Sequence, residues 1–162
     1  MIKFSVEEDK QRRTGASLKV LGVGGGGGNA VNSMMAGDDL SIVDFIVANT
    51  DEQALGLSTA QTKVQLGSKI TKGLGAGSNP DMGRRAAEED LELMIKHIAD
   101  SDMLFLTAGL GGGTGSGALP IIAEAAREAG VLSVAVVTKP FAFEGRVRMR
   151  NAEEAINALN GV

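Results

Sequence analysis

Five short apolar segments restrict the fold of this 162-residue chain more than any other feature. They read LKVLGVG from Leu18, IVDFIVANT at 42–50, KVQLG at 63–67, DMLFLTAG at 102–109 and VLSVAVVTKP at 131–140. Near-continuous apolar runs are typical of strands covered on both faces of a parallel sheet. Helical patterns lie between the runs, at 29–35, 81–99, 119–129 and 146–160. We therefore predict an α/β fold with a Rossmann-like, doubly wound, mostly parallel sheet and helices on both faces.

Length and composition indicate one domain of ordinary size. Residues 1–17 mix charged and polar side chains without sustained periodicity, so we predict a flexible N-terminal tail and a domain at 18–162. The net charge of −4 disfavours a nucleic-acid partner, and the absence of cysteine excludes disulfides and thiolate metal sites. The sequence contains neither an apolar signal region nor a membrane-spanning run of about 18 apolar residues, so we expect a cytoplasmic protein without membrane insertion.

Three glycine-rich turns follow predicted strands. They read GVGGGGGNA at 22–30, GLGAGSNP at 73–80 and GLGGGTGSG at 109–117. In a doubly wound sheet, ligands bind at the carboxyl ends of the strands, where such turns meet. Glycine lets backbone N–H groups approach phosphate oxygens, and the helix that follows favours an anion at its N-terminus. The turns predict a polyphosphate site, with the Thr114 and Ser116 hydroxyls as further donors.

Each turn also has another interpretation. Gly22, Gly24 and Gly27 match the GxGxxG pattern of nicotinamide enzymes, in which Asp51 would be the acidic residue after the second strand. The turn at 73–80 is equally explained as a plain strand-to-helix connection. The P-loop GTPases and ATPases of the Walker type are disfavoured, because no lysine follows any glycine run.

The motifs together resemble the tubulin/FtsZ family of GTPases. GLGGGTGSG resembles the family signature G-G-G-T-G-[ST]-G. VLGVGGGGGNAVNSM, VANTDEQAL, GLGAGSNPDMGRRAA and TKPFAFEGRVR resemble the bacterial cell-division branch, in order from Leu18 to Asn160. The resemblance implies a GTP-binding domain that takes GTP or GDP with Mg²⁺. It also implies a GTPase that polymerises head to tail into the filaments of the mid-cell division ring.

The resemblance implies roles for particular residues. The loop at 76–78 would sense the γ-phosphate, Glu144 would accept hydrogen bonds from the ribose, and Arg148 would donate to the nucleotide. No side chain is assigned to a metal. The implied nucleotide-binding residues are Gly25, Gly26, Gly27, Gly28, Asn29, Ala76, Gly77, Ser78, Gly111, Gly112, Gly113, Thr114, Gly115, Ser116, Glu144 and Arg148, with Asn49 and Asp51 as weaker candidates.

Family members continue beyond the position of Val162 into a central helix, an acidic loop that completes the neighbouring subunit's GTPase site, and a second domain. We therefore expect domain 18–162 to lack these parts, to hydrolyse GTP slowly or not at all alone, and to depend on a full-length neighbour for catalysis. No catalytic residue is assigned. A non-catalytic module that modulates filaments is the alternative, and the predicted strand at 131–138 is expected to expose an edge through which chains self-associate.

Overall fold

Strands and helices alternate along the chain, as the apolar runs predict. A computed structural model describes residues 15–37, 40 and 42–160. The strands are β1 (Leu18–Val23), β2 (Val43–Asn49), β3 (Thr62–Gln65), β4 (Met103–Gly109) and β5 (Leu132–Thr138). The helices are α1 (Gly24–Met35), α2 (Glu52–Leu57), α3 (Ser68–Thr71), α4 (Pro80–Glu89), α5 (Leu91–Ile98), α6 (Thr114–Glu128) and α7 (Arg146–Leu159), with a 3-10 turn at Ala142–Glu144.

The five strands form one sheet in the order β3-β2-β1-β4-β5, and all neighbouring pairs are parallel. Leu18 of the central strand is aligned with Val43 on one side and with Met103 on the other. The chain moves outward from β1 to β3, then returns to the opposite side of β1 for β4 and β5. This reversal opens a crevice between the carboxyl ends of β1 and β4. The predicted fold class is confirmed.

Two apolar clusters cover the two faces of the sheet. Leu21, Met94, Leu106 and Ile122 belong to the larger cluster, which packs against α4 to α7. The smaller cluster packs against α1 and α2 and consists of Val20, Val31, Val47, Leu55 and Ala60. Neighbouring residues of one strand, such as Val20 and Leu21, therefore enter opposite clusters, because successive side chains of a strand point to opposite faces.

The glycine-rich turns are shorter than the sequence patterns predict. The sequence predicts helices from about 29 and from 119, but α1 begins at Gly24 and α6 at Thr114. Glycine disfavours helix, so propensity gives no signal for these first turns. Packing against the sheet overrides propensity, because Gly27 lies so close to β4 that a Cβ there would overlap the Thr107 carbonyl.

The helix predicted at 81–99 is two helices, and two short helices were not predicted. Asp90 separates α4 from α5, because its carboxylate accepts a hydrogen bond from Gly67 N at 2.6 Å and its backbone leaves the helical region. The carboxylate of Asp51 caps α2 by accepting from the amides of Gln53 and Ala54. Both contacts are made by side chains, so apolar periodicity does not reveal them.

Most of the predicted tail, residues 1–14, lies outside the described residues. Ser17, its last residue, is paired with the start of β4: Ser17 N donates to Asp102 Oδ2 at 2.6 Å, and Ser17 O accepts from Asp102 N at 2.9 Å. Within the described ranges, no helix is both long and apolar enough to cross a membrane.

Helices α4 and α6 approach closely where both carry glycine. A Cβ at Gly117 would overlap Pro80 O and lie 2.6 Å from Arg84 N. A Cβ at Gly83 would overlap Gly113 O and lie 3.1 Å from Thr114 Cα. Backbone atoms cannot move away as a flexible side chain can, so these glycines set the separation of the two helices.

Gly117→Ala tests this contact, with Gly56→Ala as the matched control because Gly56 lies in α2 with no atom near its Cβ position. We expect Gly117→Ala to lower the free energy of unfolding by about 1–3 kcal/mol. Gly56→Ala should leave it unchanged or raise it by up to about 1 kcal/mol. Urea denaturation followed by circular dichroism measures both. Equal effects of the two variants would contradict the close approach.

Candidate functional site

A cleft of about 340 Å³ opens at the crevice between the carboxyl ends of β1 and β4. The start of α1, the turn between β4 and α6, the end of β5 and the start of α7 meet there. Its lining residues are Gly25, Gly26, Gly109, Leu110, Gly112, Gly113, Thr114, Gly115, Thr138, Lys139, Pro140, Glu144 and Arg148.

The structure brings part of the predicted site into this cleft. The predicted residues that line it are Gly25, Gly26, Gly112, Gly113, Thr114, Gly115, Glu144 and Arg148. The others are outside the lining: they lie in α1, at the end of β2 and just after it, in the loop after α3, in the β4–α6 turn, and in α6. These are Gly27, Gly28, Asn29, Asn49, Asp51, Ala76, Gly77, Ser78, Gly111 and Ser116. Their nucleotide contacts stay predictions.

Three of the six glycines that line the cleft, and Gly24 beside it, are required by contacts within the chain. A Cβ at Gly26 would lie 2.9 Å from Gly109 N, and one at Gly24 would lie 3.0 Å from Gly115 N. A Cβ at Gly115 would overlap Gly109 O. A Cβ at Gly113 would lie 2.8 Å from both Ala76 Cβ and Asn79 N. Glycine therefore lets the three turns pack backbone against backbone.

Gly25 and Gly112 are different. Neither has a φ in the left-handed region. Apart from the chain neighbours of each glycine and the backbone of the helix that contains Gly25, no heavy atom of the described chain lies within 4 Å of the position of a Cβ at either residue. Both face the cleft. Neither packing nor backbone geometry within the described chain requires glycine at these two positions. The space that a Cβ would fill is space that a ligand approaching the backbone needs.

Electrostatics of the cleft favour an anion. Helix α6 begins at Thr114 on the cleft wall, and the N-terminus of a helix presents unpaired N–H groups and the positive end of its dipole. Lys139 and Arg148 add two cationic side chains to the lining. The backbone and these side chains together suit phosphate oxygens.

The β4–α6 turn is held in shape from behind the cleft. Gly111 has a φ of +105°, its N–H donates to Ser116 Oγ at 2.8 Å, and its carbonyl accepts from Asn151 Nδ2 at 3.4 Å. Leu110 N donates to Thr138 O at 2.9 Å, which fastens the turn to the end of β5. Gly111 and Ser116 thus shape the turn without lining the cleft.

The loop at 73–79 lies next to the turn and has a strained backbone. Gly73, Gly75 and Gly77 have φ between +56° and +82°, and Ser78, a residue with a side chain, has a φ of +60°. Gly75 N donates to Thr50 O at 3.1 Å, and Gly73 O accepts from Glu52 N at 3.0 Å. This loop is therefore attached to the segment after β2.

Glu144 and Arg148 form an ion pair at the mouth of the cleft. Glu144 Oε2 accepts from Arg148 Nη1 at 2.9 Å, and Oε1 accepts from Phe141 N at 2.8 Å. The Phe141 N–H is the largest cause of a pKa of Glu144 below its ordinary value of 4.5, and Arg148 lowers it further. The carboxylate is therefore ionised at neutral pH and can still accept hydrogen bonds from a ligand.

Sequence reasoning missed some of the lining, namely Gly109, Leu110, Thr138, Lys139 and Pro140. Thr138 is the last residue of β5, and Lys139 and Pro140 follow it at the same carboxyl edge as the glycine turns. The rule that directed attention to the loops after strands also applies to this segment. The segment belongs to the motif TKPFAFEGRVR, but for that motif the resemblance implies contacts only at Glu144 and Arg148.

A larger cavity of about 500 Å³ lies at the opposite end of the sheet, near the amino ends of the strands. Its lining includes Met34, Phe45, His97 and the buried Lys19, whose ammonium group donates to His97 O at 2.6 Å and to Asp100. Parallel α/β sheets bind ligands at the carboxyl ends, so the smaller cleft is the better candidate. Over the described residues, no group of three or more His, Asp or Glu side chains is placed to hold a metal ion.

The lowered pKa of Glu144 makes a pH prediction. The stability that the carboxylate contributes is fully present above pH 4.5 and is lost as the pH falls through the lower folded pKa. Phe141→Pro removes the donating N–H at a φ of −72°, which proline accepts, whereas Phe141→Ala keeps the N–H. Carboxyl NMR titration should find a midpoint below 4.5 in the wild type and in Phe141→Ala, and a higher one in Phe141→Pro. Equal midpoints in both variants would contradict the assignment.

Comparison with known proteins gives consistent matches. The chain is 58% identical over 142 residues to "Cell division protein FtsZ 2" of Rhizobium meliloti (strain 1021), covering 88% of this chain and 41% of that protein. It is 60% identical over 144 residues to "Cell division protein FtsZ" of Pseudomonas aeruginosa, covering 89% and 36%. The chain thus spans about two fifths of the length of these relatives.

Solved structures match as well. An empty FtsZ dimer of M. jannaschii has a TM-score of 0.87 and 45% identity, over 93% of this chain and 43% of that one. CetZ2 from Haloferax volcanii, a GTPγS-bound protofilament, has a TM-score of 0.81 and 26% identity, over 88% and 46%. Residues 17–161 match the family described as "Tubulin/FtsZ family, GTPase domain". The chain therefore belongs to the tubulin/FtsZ family.

Proposed function

We propose that this chain is the GTP-binding part of a self-assembling GTPase of bacterial cell division, and that the cleft between β1 and β4 holds the nucleotide's phosphates. The observation that carries the proposal is the open space at Gly25 and Gly112, where nothing else in the described chain requires glycine. Family membership favours a guanine nucleotide over the NAD(P) of the alternative interpretation.

The lining residues have distinct roles in this proposal. Backbone N–H groups at Gly25 and from Gly112 to Gly115 donate to phosphate oxygens, assisted by the N-terminus of α6. Arg148 and Lys139 offset the remaining negative charge, and Glu144 accepts from ribose hydroxyls. The loop at 76–78 senses the γ-phosphate. Mg²⁺ binds mainly to the phosphates, where it neutralises charge.

Hydrolysis and assembly are proposed from the likeness to the relatives, of whose length this chain spans about two fifths. Phosphoryl transfer to water needs little from the protein beyond positioning and charge stabilisation. We propose that an acidic loop of a neighbouring full-length subunit positions the water, so that this chain alone is slow or inactive. Two structural neighbours are a dimer and a GTPγS-bound protofilament, which supports assembly into filaments. We propose that these filaments are head to tail and lie in the cytoplasm at the division site, in line with the names of the cell-division relatives.

Gly25→Ala and Gly112→Ala test the cleft, with Gly56→Ala as the control. Each Cβ enters space empty of protein, so stability should not fall, whereas the affinity for Mg–GTP should fall about tenfold or more through steric exclusion of the phosphates. Calorimetric titration measures the affinity and urea denaturation the stability. Unchanged affinity in both cleft variants would contradict the proposed site.

Nucleotide choice and turnover separate the functions. We expect the wild-type chain to prefer Mg–GTP to Mg–ATP and NAD, with phosphate release accelerated when a full-length relative is added. A preference for NAD would contradict the proposal. If the chain binds GTP, but its mixture with the full-length relative releases phosphate no faster than the two proteins do separately, a non-catalytic module is the better description.

We also propose that β5 mediates self-association with a second copy of the chain. It is an edge strand, and the side chains of Leu132, Val134 and Val136 are 61%, 38% and 59% exposed on one face. Val134 is aligned with Phe105, which packs into the cluster under α1, so this row extends the α1 face of the sheet. An exposed strand edge can pair with a strand of another chain. In a two-fold symmetric dimer, the β5 edges of the two copies pair with each other and bring their exposed rows Leu132, Val134 and Val136 together.

Val136→Lys tests the edge. A charge on the exposed row disfavours pairing of two edges without affecting the buried core. Sedimentation at tens of micromolar should find dimers or larger species for the wild type and mostly monomers for Val136→Lys. A monomeric wild type would contradict self-association.

A further inference from the structure

Thr50 lies between the cleft and the loop at 73–79 without lining the cleft. It follows β2 directly, and its side chain is fully buried. It is not among the predicted binding residues, and a buried threonine at the end of a strand gives no signal in the sequence. Its contacts assign it a role.

The side chain of Thr50 contacts the cleft wall. Thr50 Oγ1 and Thr114 Oγ1 lie 2.7 Å apart, and either hydroxyl can be the donor. Among the described residues, Thr114 is the one hydrogen-bond partner of the Thr50 hydroxyl. Thr114 is the first residue of α6 and lines the cleft.

The backbone of Thr50 contacts the loop at 73–79. Thr50 O accepts from Gly75 N at 3.1 Å and from Thr71 Oγ1 at 3.3 Å. Gly75 has a φ of +82° and lies in the strained segment that ends at Ser78. One buried residue therefore joins the first turn of α6 to this loop.

Hydroxyl chemistry gives the contact a direction. Each threonine hydroxyl has one hydrogen to donate and lone pairs that accept. When Thr50 donates to Thr114 Oγ1, the hydrogen of Thr114 is left for an anionic oxygen in the cleft. When Thr50 accepts instead, the hydrogen of Thr114 points away from the cleft. The occupied cleft therefore favours Thr50 as the donor.

We propose that Thr50 is a positioning residue that holds the Thr114 hydroxyl in the orientation that donates to a bound phosphate, and that it couples phosphate binding to the loop at 73–79. This inference rests on the proposed function, because it requires an anion in the cleft. It adds a residue that neither lines the cleft nor touches the ligand.

A double-mutant cycle tests the proposal in the full chain, with Mg–GTP and Mg–pyrophosphate as probes. Thr50→Val keeps the shape and removes the hydroxyl, Thr50→Ser keeps the hydroxyl, and Thr114→Val removes the group through which Thr50 acts. We expect Thr50→Val to weaken binding of both probes about five- to tenfold. Thr50→Ser should bind within about twofold of the wild type. In the Thr114→Val background, Thr50→Val should have almost no further effect.

The outcomes separate this inference from the proposed function. If the wild type binds neither probe, the proposed function fails and this inference fails with it. If the wild type binds and Thr50→Val binds equally well, only this inference is overturned. An effect of Thr50→Val that persists in the Thr114→Val background would assign Thr50 a merely structural role and would also overturn it. The amide exchange rate of Gly75, slowed by pyrophosphate in the wild type and not in Thr50→Val, would support the coupling to the loop.

Discussion

The close approach of backbone segments at glycine is the contact on which the site depends. The start of α1 packs onto the end of β4 at Gly26 and Gly109, and the start of α6 packs onto the same strand end at Gly115. A Cβ at Gly26 or Gly115 would overlap backbone atoms of Gly109, so it would force the segments apart and widen the crevice between β1 and β4. Glycine loses more conformational entropy on folding than other residues, and the apolar clusters on both faces of the sheet offset that loss.

This packing leaves a small stretch of backbone with no protein atoms packed against it, and a ligand is expected to bind there. Gly25 and Gly112 face the cleft, with the N-terminus of α6 beside them and Arg148 and Lys139 at the rim. Hydrogen bonds behind the lining hold these segments together: Ser116 Oγ accepts from Gly111 N in the turn, and Thr50 links Thr114 to the loop at 73–79. These contacts support the proposal that the loop at 73–79 responds to phosphate in the cleft.

The sheet could be predicted from the sequence because both features that determine it, the apolar runs and their alternation with helices, are visible in short segments of the chain. Apolar runs indicate strands that are covered on both faces, and their alternation with helices implies parallel pairing. Turns that follow parallel strands all lie at the carboxyl edge of the sheet, which is where the glycine turns are found. Contacts distant in sequence could not be predicted. Asp90 ends a helix by accepting from Gly67 N, and the Thr50–Thr114 pair spans 64 positions. The glycine turns were expected to serve phosphate, but spacing alone does not reveal which glycines face a ligand and which face another backbone segment.

Amide NMR during titration with Mg–GTP would locate the nucleotide, because it reports on both ends of the sheet at once. We expect the largest shift changes at the amides of Gly25 and of Gly112 to Gly115, with small changes at Gly83 and Gly117, whose surroundings are filled by backbone. Changes concentrated at the amino-end cavity, around Lys19 and His97, would contradict this expectation.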